Sequence, residues 1–352
     1  MKKIISYKGQ TLETTMVNEL SVKDFEWLRK KHYEKPKRSE IVNEIANLVS
    51  NDGITMTKIE QYYFRELMSR TKVYYNKWSI KDLFDYKPLL DYMYSRTLTN
   101  DKVFTGDLHQ NIETAIRIGG KGVASKVANF PIKTVDKVLK GLLNNNNYYD
   151  MSCGWGARLL SALKNNVNYY GTDPNYLLVD KLNELVSDWK DITKTKPNVD
   201  IRPHGSEKFV KEWENIMGLC FTSPPYFYLE DYGVGEQSYK KGTTYQEWLS
   251  NYLEPTIKNC HRYLIDKGLL AINIKDFSKY KLEQDTKNIS ENNGFVFVGV
   301  FELENIARVK STGELGDSNE NIMIFAKKGF EQYYNPYKIQ PKHYDIFDFL
   351  EE

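Results

Sequence analysis

Apolar positions change their spacing near residue 130. Before it, Ile41, Ile45 and Val49 recur at helical intervals, as do Ile59, Tyr63 and Leu67. Ser21 and Ser79 each stand three residues ahead of an aspartate, Asp24 and Asp82, the spacing of a cap and its reciprocal acid at a helix start. The first hundred residues therefore predict a mainly helical region. Beyond 130, short apolar runs alternate with helical stretches. Strands are expected at 148–151, 169–171, 199–201, 219–221, 269–274, 295–301 and 322–326, and helices at 157–163, 176–189, 245–263 and up to about 292. Most of these strands are separated by a helix, and the last two are not. That succession predicts an α/β fold with a doubly wound seven-stranded sheet and an antiparallel edge. The chain divides on this reading into a helical N-terminal extension (1–105), an α/β domain (106–330) and an aromatic C-terminal tail (331–352).

Composition adds little until it is resolved along the chain. A hydrophobic share of 41% is enough for a substantial core and argues against wholesale disorder, while the net charge of +2 says little about partners. Positions 1–100 alone carry 18 basic against 13 acidic residues. Within them Arg65, Arg70, Lys72 and Lys77 are interleaved with Tyr74, Tyr75 and Trp78, a mixture suited to phosphate contact and base stacking. A helical cap with core aromatics and solvated lysines is the plainer alternative. Three unpaired cysteines argue against a disulfide scaffold, and five scattered histidines argue against a metal site. No apolar run reaches the roughly 18 residues of a membrane span, so a cytoplasmic protein is expected.

Ligands of doubly wound sheets sit at the carboxyl ends of the strands, and three such ends are unusual here. The first expected strand runs into Asp150-Met151-Ser152-Cys153-Gly154-Trp155-Gly156 and then a helix. Two glycines let the backbone approach a ligand. The missing third glycine argues against a dinucleotide fingerprint, and a P-loop is excluded because no Gly-Lys-Ser/Thr follows. The second strand ends in Gly171-Thr172-Asp173-Pro174, where an acid can accept ribose hydroxyls. The fourth ends in Thr222-Ser223-Pro224-Pro225-Tyr226. Two prolines fix φ and remove two donors, leaving rigid carbonyls between a hydroxyl and an aromatic face. That set offers two acceptors for an amino group and a surface on which a base can stack. His204, Gly205 and Ser206 at the third strand end could line the same pocket.

The pairing of the glycine turn with Ser223-Pro224-Pro225-Tyr226 resembles the S-adenosylmethionine-dependent DNA amino-methyltransferases, over residues 130–327. The resemblance implies a Rossmann-like methyltransferase sheet, S-adenosylmethionine as cofactor and DNA as partner, with the target base flipped out of the duplex. It assigns catalysis to Ser223, Pro224, Pro225 and Tyr226. It assigns cofactor binding to Phe130, Pro131, Asp150, Ser152, Cys153, Gly154, Trp155, Gly156, Asp173, Pro174, Gly205, Ser206 and Thr222. The string from Phe221 to Gly233 is similar to enzymes encoded by bacteriophages, which implies DNA modification of the restriction-modification kind. Serine in the first motif position resembles enzymes acting on cytosine N4, whereas aspartate or asparagine is commoner for adenine N6. Adenine N6 is therefore the alternative, followed by an RNA or protein-amide acceptor, or a catalytically silent nucleic-acid-binding module. No large insertion offers a target-recognition domain, which leaves the loop 227–244 and residues 1–100 as candidates.

Overall fold

The computed structural model describes residues 3–15, 18–50, 55–98, 104–120, 122–242, 244–276, 278–302 and 321–334, with two short strands at 308–309 and 315–316. The alternating half of the chain forms one seven-stranded sheet. Its strands are β1 (Asn147–Asp150), β2 (Asn168–Thr172), β3 (Val199–Arg202), β4 (Met217–Thr222), β5 (Leu264–Asn273), β6 (Phe295–Glu302) and β7 (Asn321–Lys327). They lie in the order β6-β7-β5-β4-β1-β2-β3. Strands β1 to β5 are mutually parallel, with Tyr149 opposite both Tyr170 and Cys220. The reversed strand is β7, which runs antiparallel between β5 and β6, so the reversal lies one strand in from the edge. The chain winds outward from β1 to β3 in one direction and from β4 to β5 in the other. Its switch point, where a crevice opens in such sheets, is the β1–β4 boundary.

Both faces of the sheet are covered, which is why its strands read as apolar runs rather than alternations. One face buries Tyr148, Tyr169, Leu219 and Phe221 under helices α1 (Ile132–Leu142), α2 (Ala157–Lys164) and α3 (Tyr176–Thr193). The other buries Tyr149, Tyr170, Cys220 and Leu270 under the helical stretch 245–263 and the helix Leu282–Asn292.

The first third of the chain contains the expected helices at Val22–Tyr33 and Ile80–Asp85, capped by Ser21 and Ser79 as their spacing predicts. It also contains a hairpin, Lys3–Tyr7 with Gln10–Thr14, that the helical pattern does not foresee. Two of its helical segments join the sheet's core rather than their own. Ile41, Ile45 and Leu48 of Arg38–Ser50, with Ile59 and Phe64, pack among residues of α3. Val49, expected on this buried face, is exposed, and Leu48 takes its place. Arg38 and the Tyr63 hydroxyl both bind Asp188 of α3. The remaining apolar residues, among them Leu28, Trp78 and Phe84, form a separate core that includes Ile112 and Ile116 of the helix Leu108–Gly119. Beyond residue 334 the aromatic tail lies outside the described residues. No described helix is long and apolar enough to cross a membrane.

Candidate active site

The loops that leave β1, β2, β3 and β4 converge on one cavity of about 510 Å³. After β1 the chain turns at Gly154 (φ +56°) and Gly156 (φ +82°), a region open to glycine and strained for other residues. Cys153 N–H donates to the Thr172 carbonyl at 3.2 Å, which ties this turn to β2. Ser152, Gly154 and Trp155 line the cavity. Asn129 donates to the Trp155 carbonyl at 2.9 Å and so seats Phe130 and Pro131 against the same turn, with the Phe130 ring edge-on to Phe221.

Four residues expected at the cofactor do not line this cavity. Asp150 is fully buried beneath it, because Arg158, eight residues along on α2, reaches back to pair with it at 2.8 Å. Asp150 also accepts from the Tyr169 hydroxyl at 2.8 Å and the Thr222 hydroxyl at 2.9 Å. Thr222 is buried in the same network and contacts Ser152 Oγ at 2.8 Å. Cys153 packs over Gly171, and burial pushes its thiol pKa well up, so it stays protonated. A side chain on Gly156 would meet the Phe64 ring of the N-terminal region at 3.0 Å, so this glycine serves helix packing. The network has its own use: it locks the ends of β1, β2 and β4 together.

After β2, Asp173 turns toward the cavity and accepts N–H bonds from Asn175 at 2.9 Å and Gly154 at 3.4 Å. Burial outweighs these bonds and pushes its pKa up to about 6. Pro174 beside it, and Gly205 and Ser206 after β3, also line the cavity, whereas His204 does not. Glu207 does, and sequence reasoning missed it. Among the described residues, both its carboxylate oxygens are buried without a hydrogen-bond donor, and its one cation is Lys241 at 3.3 Å. Its only sequence signal is its place after β3.

After β4, Ser223, Pro224, Pro225 and Tyr226 all line the cavity. Ser152 Oγ donates to the Ser223 carbonyl at 3.2 Å, linking the tetrapeptide to the glycine turn. Phe227 then adopts a left-handed φ of +51°, a strained conformation for an aromatic residue. Its ring is held among Tyr245, Trp248 and Tyr280 at 5.4–5.7 Å, which sustains the sharp reversal. The returning chain pairs antiparallel with residues 72–73 of the N-terminal region, Val73 opposite Glu230. Val73 and Tyr75 thereby reach the cavity from a part of the chain that showed only a basic-aromatic mixture. Of that mixture, Trp78 is buried and donates to the Tyr7 carbonyl, Arg65 donates to the His32 carbonyl, and Lys77 binds the Thr11 carbonyl. Tyr74 and Tyr75 are half-exposed.

Residues 217–346 match the family model described as DNA methylase, of the N6/N4 type. The match begins at the first residue of β4 and takes in the tetrapeptide. A comparison with curated proteins finds no match. Among solved structures, a magnesium protoporphyrin IX methyltransferase from Synechocystis with bound S-adenosylmethionine is 12% identical, covering 56% of this chain and 79% of that one, at a TM-score of 0.38. A TehB-like S-adenosylmethionine-dependent methyltransferase from Corynebacterium glutamicum is 15% identical, covering 55% of this chain and 88% of that one, at a TM-score of 0.34.

Proposed function

We propose, from the match of residues 217–346 to the DNA methylase family, that the chain is a DNA amino-methyltransferase and transfers the methyl group of S-adenosylmethionine to N4 of a cytosine in DNA. The observation that carries this reading is the meeting, in one cavity, of an acid and a glycine turn with an amine-accepting tetrapeptide. The residues present fit the cofactor. Asp173 keeps acceptor capacity for ribose hydroxyls, and Glu207 has two buried oxygens in need of donors such as an adenine amine. Bound there, S-adenosylmethionine would supply an electrophilic methyl group on sulfur.

The chain's own contribution is orientation. An aromatic amine is a poor nucleophile because its lone pair is delocalised into the ring. Ser223 Oγ and the Pro224 carbonyl can accept its two N–H groups and turn the lone pair out of conjugation. Such alignment is worth several orders of magnitude in rate, and no covalent nucleophile is required. Tyr226 would stack on the flipped base, offsetting part of the few kcal/mol lost on unstacking. Serine rather than aspartate at position 223 favours cytosine. The N-terminal extension, with its excess of basic residues, would hold the duplex in the cytoplasm of a bacterium or of a phage's host.

Nucleoside mass spectrometry of DNA incubated with the protein and S-adenosylmethionine tests this reading. N4-methyldeoxycytidine is the expected product. N6-methyldeoxyadenosine would move the acceptor to adenine, and methylation confined to RNA or protein would overturn the DNA reading.

A further inference from the structure

Four carboxylates line the cavity, and three are accounted for. Asp173 accepts two backbone N–H groups. Glu207 and Glu236 both face Lys241, at 3.3 and 2.8 Å. Glu230 has no such partner: its one side-chain bond is from the Tyr232 hydroxyl, at 2.5 Å. The cavity's two cations are committed elsewhere, Arg158 to Asp150 and Lys126 to Glu113. Among the described residues, then, no positive charge meets the Glu230 carboxyl. Burial without a cation disfavours the charged form and raises its pKa.

Its position is not left to chance. The Leu229 N–H donates to the Tyr226 carbonyl at 3.0 Å, and the Tyr74 N–H donates to the Leu229 carbonyl at 2.7 Å. These bonds fix Leu229, and with Val73 paired opposite Glu230 they hold the segment just beyond the ring on which the base would stack. Tyr232, its partner, is held in turn against Trp155, the ring centroids 5.9 Å apart.

We propose that Glu230, protonated once a flipped base covers it, donates a hydrogen bond to the ring nitrogen beside the target amine and thereby admits amino bases and rejects keto bases. A neutral carboxyl that accepts from Tyr232 still has one O–H to give. Cytosine N3 and adenine N1, each adjacent to the exocyclic amine, are acceptors without a proton. Guanine and thymine carry an N–H at the equivalent position and would set donor against donor. Flipped bases are read through this edge, and Ser223 and Pro224 are left free for the amine. An ionised carboxylate would reverse the preference, so the missing cation is what the choice depends on. The proposal rests on the reading of an amino base in DNA as the acceptor.

Glutamine reproduces the neutral acid, with an N–H donor and a carbonyl acceptor, and alanine removes both. The test measures kcat/KM for DNA methylation between pH 6 and 9 in wild type, Glu230→Gln and Glu230→Ala, with calorimetric S-adenosylmethionine affinity beside it. Glu230→Gln is expected to retain far more activity than Glu230→Ala and to show a flatter pH profile than wild type. Glu230→Ala should lose about tenfold or more with cofactor affinity unchanged. Two results overturn the proposal while wild type still methylates DNA: Gln as impaired as Ala, or Ala as active as wild type. A wild-type protein that binds the cofactor and methylates no DNA overturns the acceptor reading as well.

Discussion

Asp173 sits where burial and hydrogen bonding oppose each other, and burial prevails. Its carboxyl titrates at about 6 in the folded chain against 3.8 when solvated, so ionising it costs folding stability as pH rises between those values. In the proposed role, ribose hydroxyls would donate to the ionised form. Cofactor affinity should therefore fall as pH drops through 6, by about tenfold per pH unit below it. Calorimetry across pH 5–8 checks this, and Asp173→Asn should flatten the profile. Asp150 teaches the opposite lesson. An acid ending the first strand before a glycine turn reads as a ligand residue, yet the Arg158 guanidinium claims it. Removing one partner of a buried ion pair costs about 3–5 kcal/mol, so Asp150→Ala should lose that much stability in denaturant unfolding. Unfolding close to wild type would mean that the pair does not hold the strand ends together.

At the scale of elements, the segment that follows the tetrapeptide folds back over the turns after β1 and β2. Gln237 closes it, donating to Asp231 at 2.6 Å and accepting from the Tyr232 N–H at 2.8 Å. Gly235 (φ +78°) lies so close to the second-strand turn that a Cβ there would sit 2.3 Å from the Pro174 carbonyl oxygen. Gly235→Ala should push this cover away and weaken S-adenosylmethionine binding by about tenfold, with the fold's melting temperature little changed; unaltered affinity would show that the cover does not touch the cofactor. The strand ends that build the site were legible because glycines, prolines or an acid stand at each of them. The cover's anchoring to residues 72–73 was not, since two residues paired with two others far along the chain leave no periodic trace. The hairpin at 3–14 escaped for a similar reason: its Lys8-Gly9 turn, with both φ positive, is one short signal in a stretch without strict alternation. Thr222, Cys153 and Gly156 belong to the right motifs yet do not line the cavity, which spacing alone does not reveal.

Across the whole molecule, two cores cross the boundary that the sequence pattern suggests at residue 105. Ile41, Ile45, Ile59 and Phe64 belong to the core of the sheet, and the helix Leu108–Gly119 belongs to that of the N-terminal helices. A chain beginning at residue 106 should therefore lack a cooperative thermal transition and be digested rapidly by protease; a sharp melt would show that the α/β part stands alone. The cover described above also sets a clock. Tyr232 stands against Trp155 and Gly235 against Pro174, so if this segment covers the bound cofactor, its lifting should limit turnover, as such motions often do. The first methyl group should then appear in a burst of about one per protein molecule, followed by a slower steady state, in rapid-quench experiments. A protein built this way does not race from site to site. On that expectation it would mark one base quickly and then wait for this segment to lift.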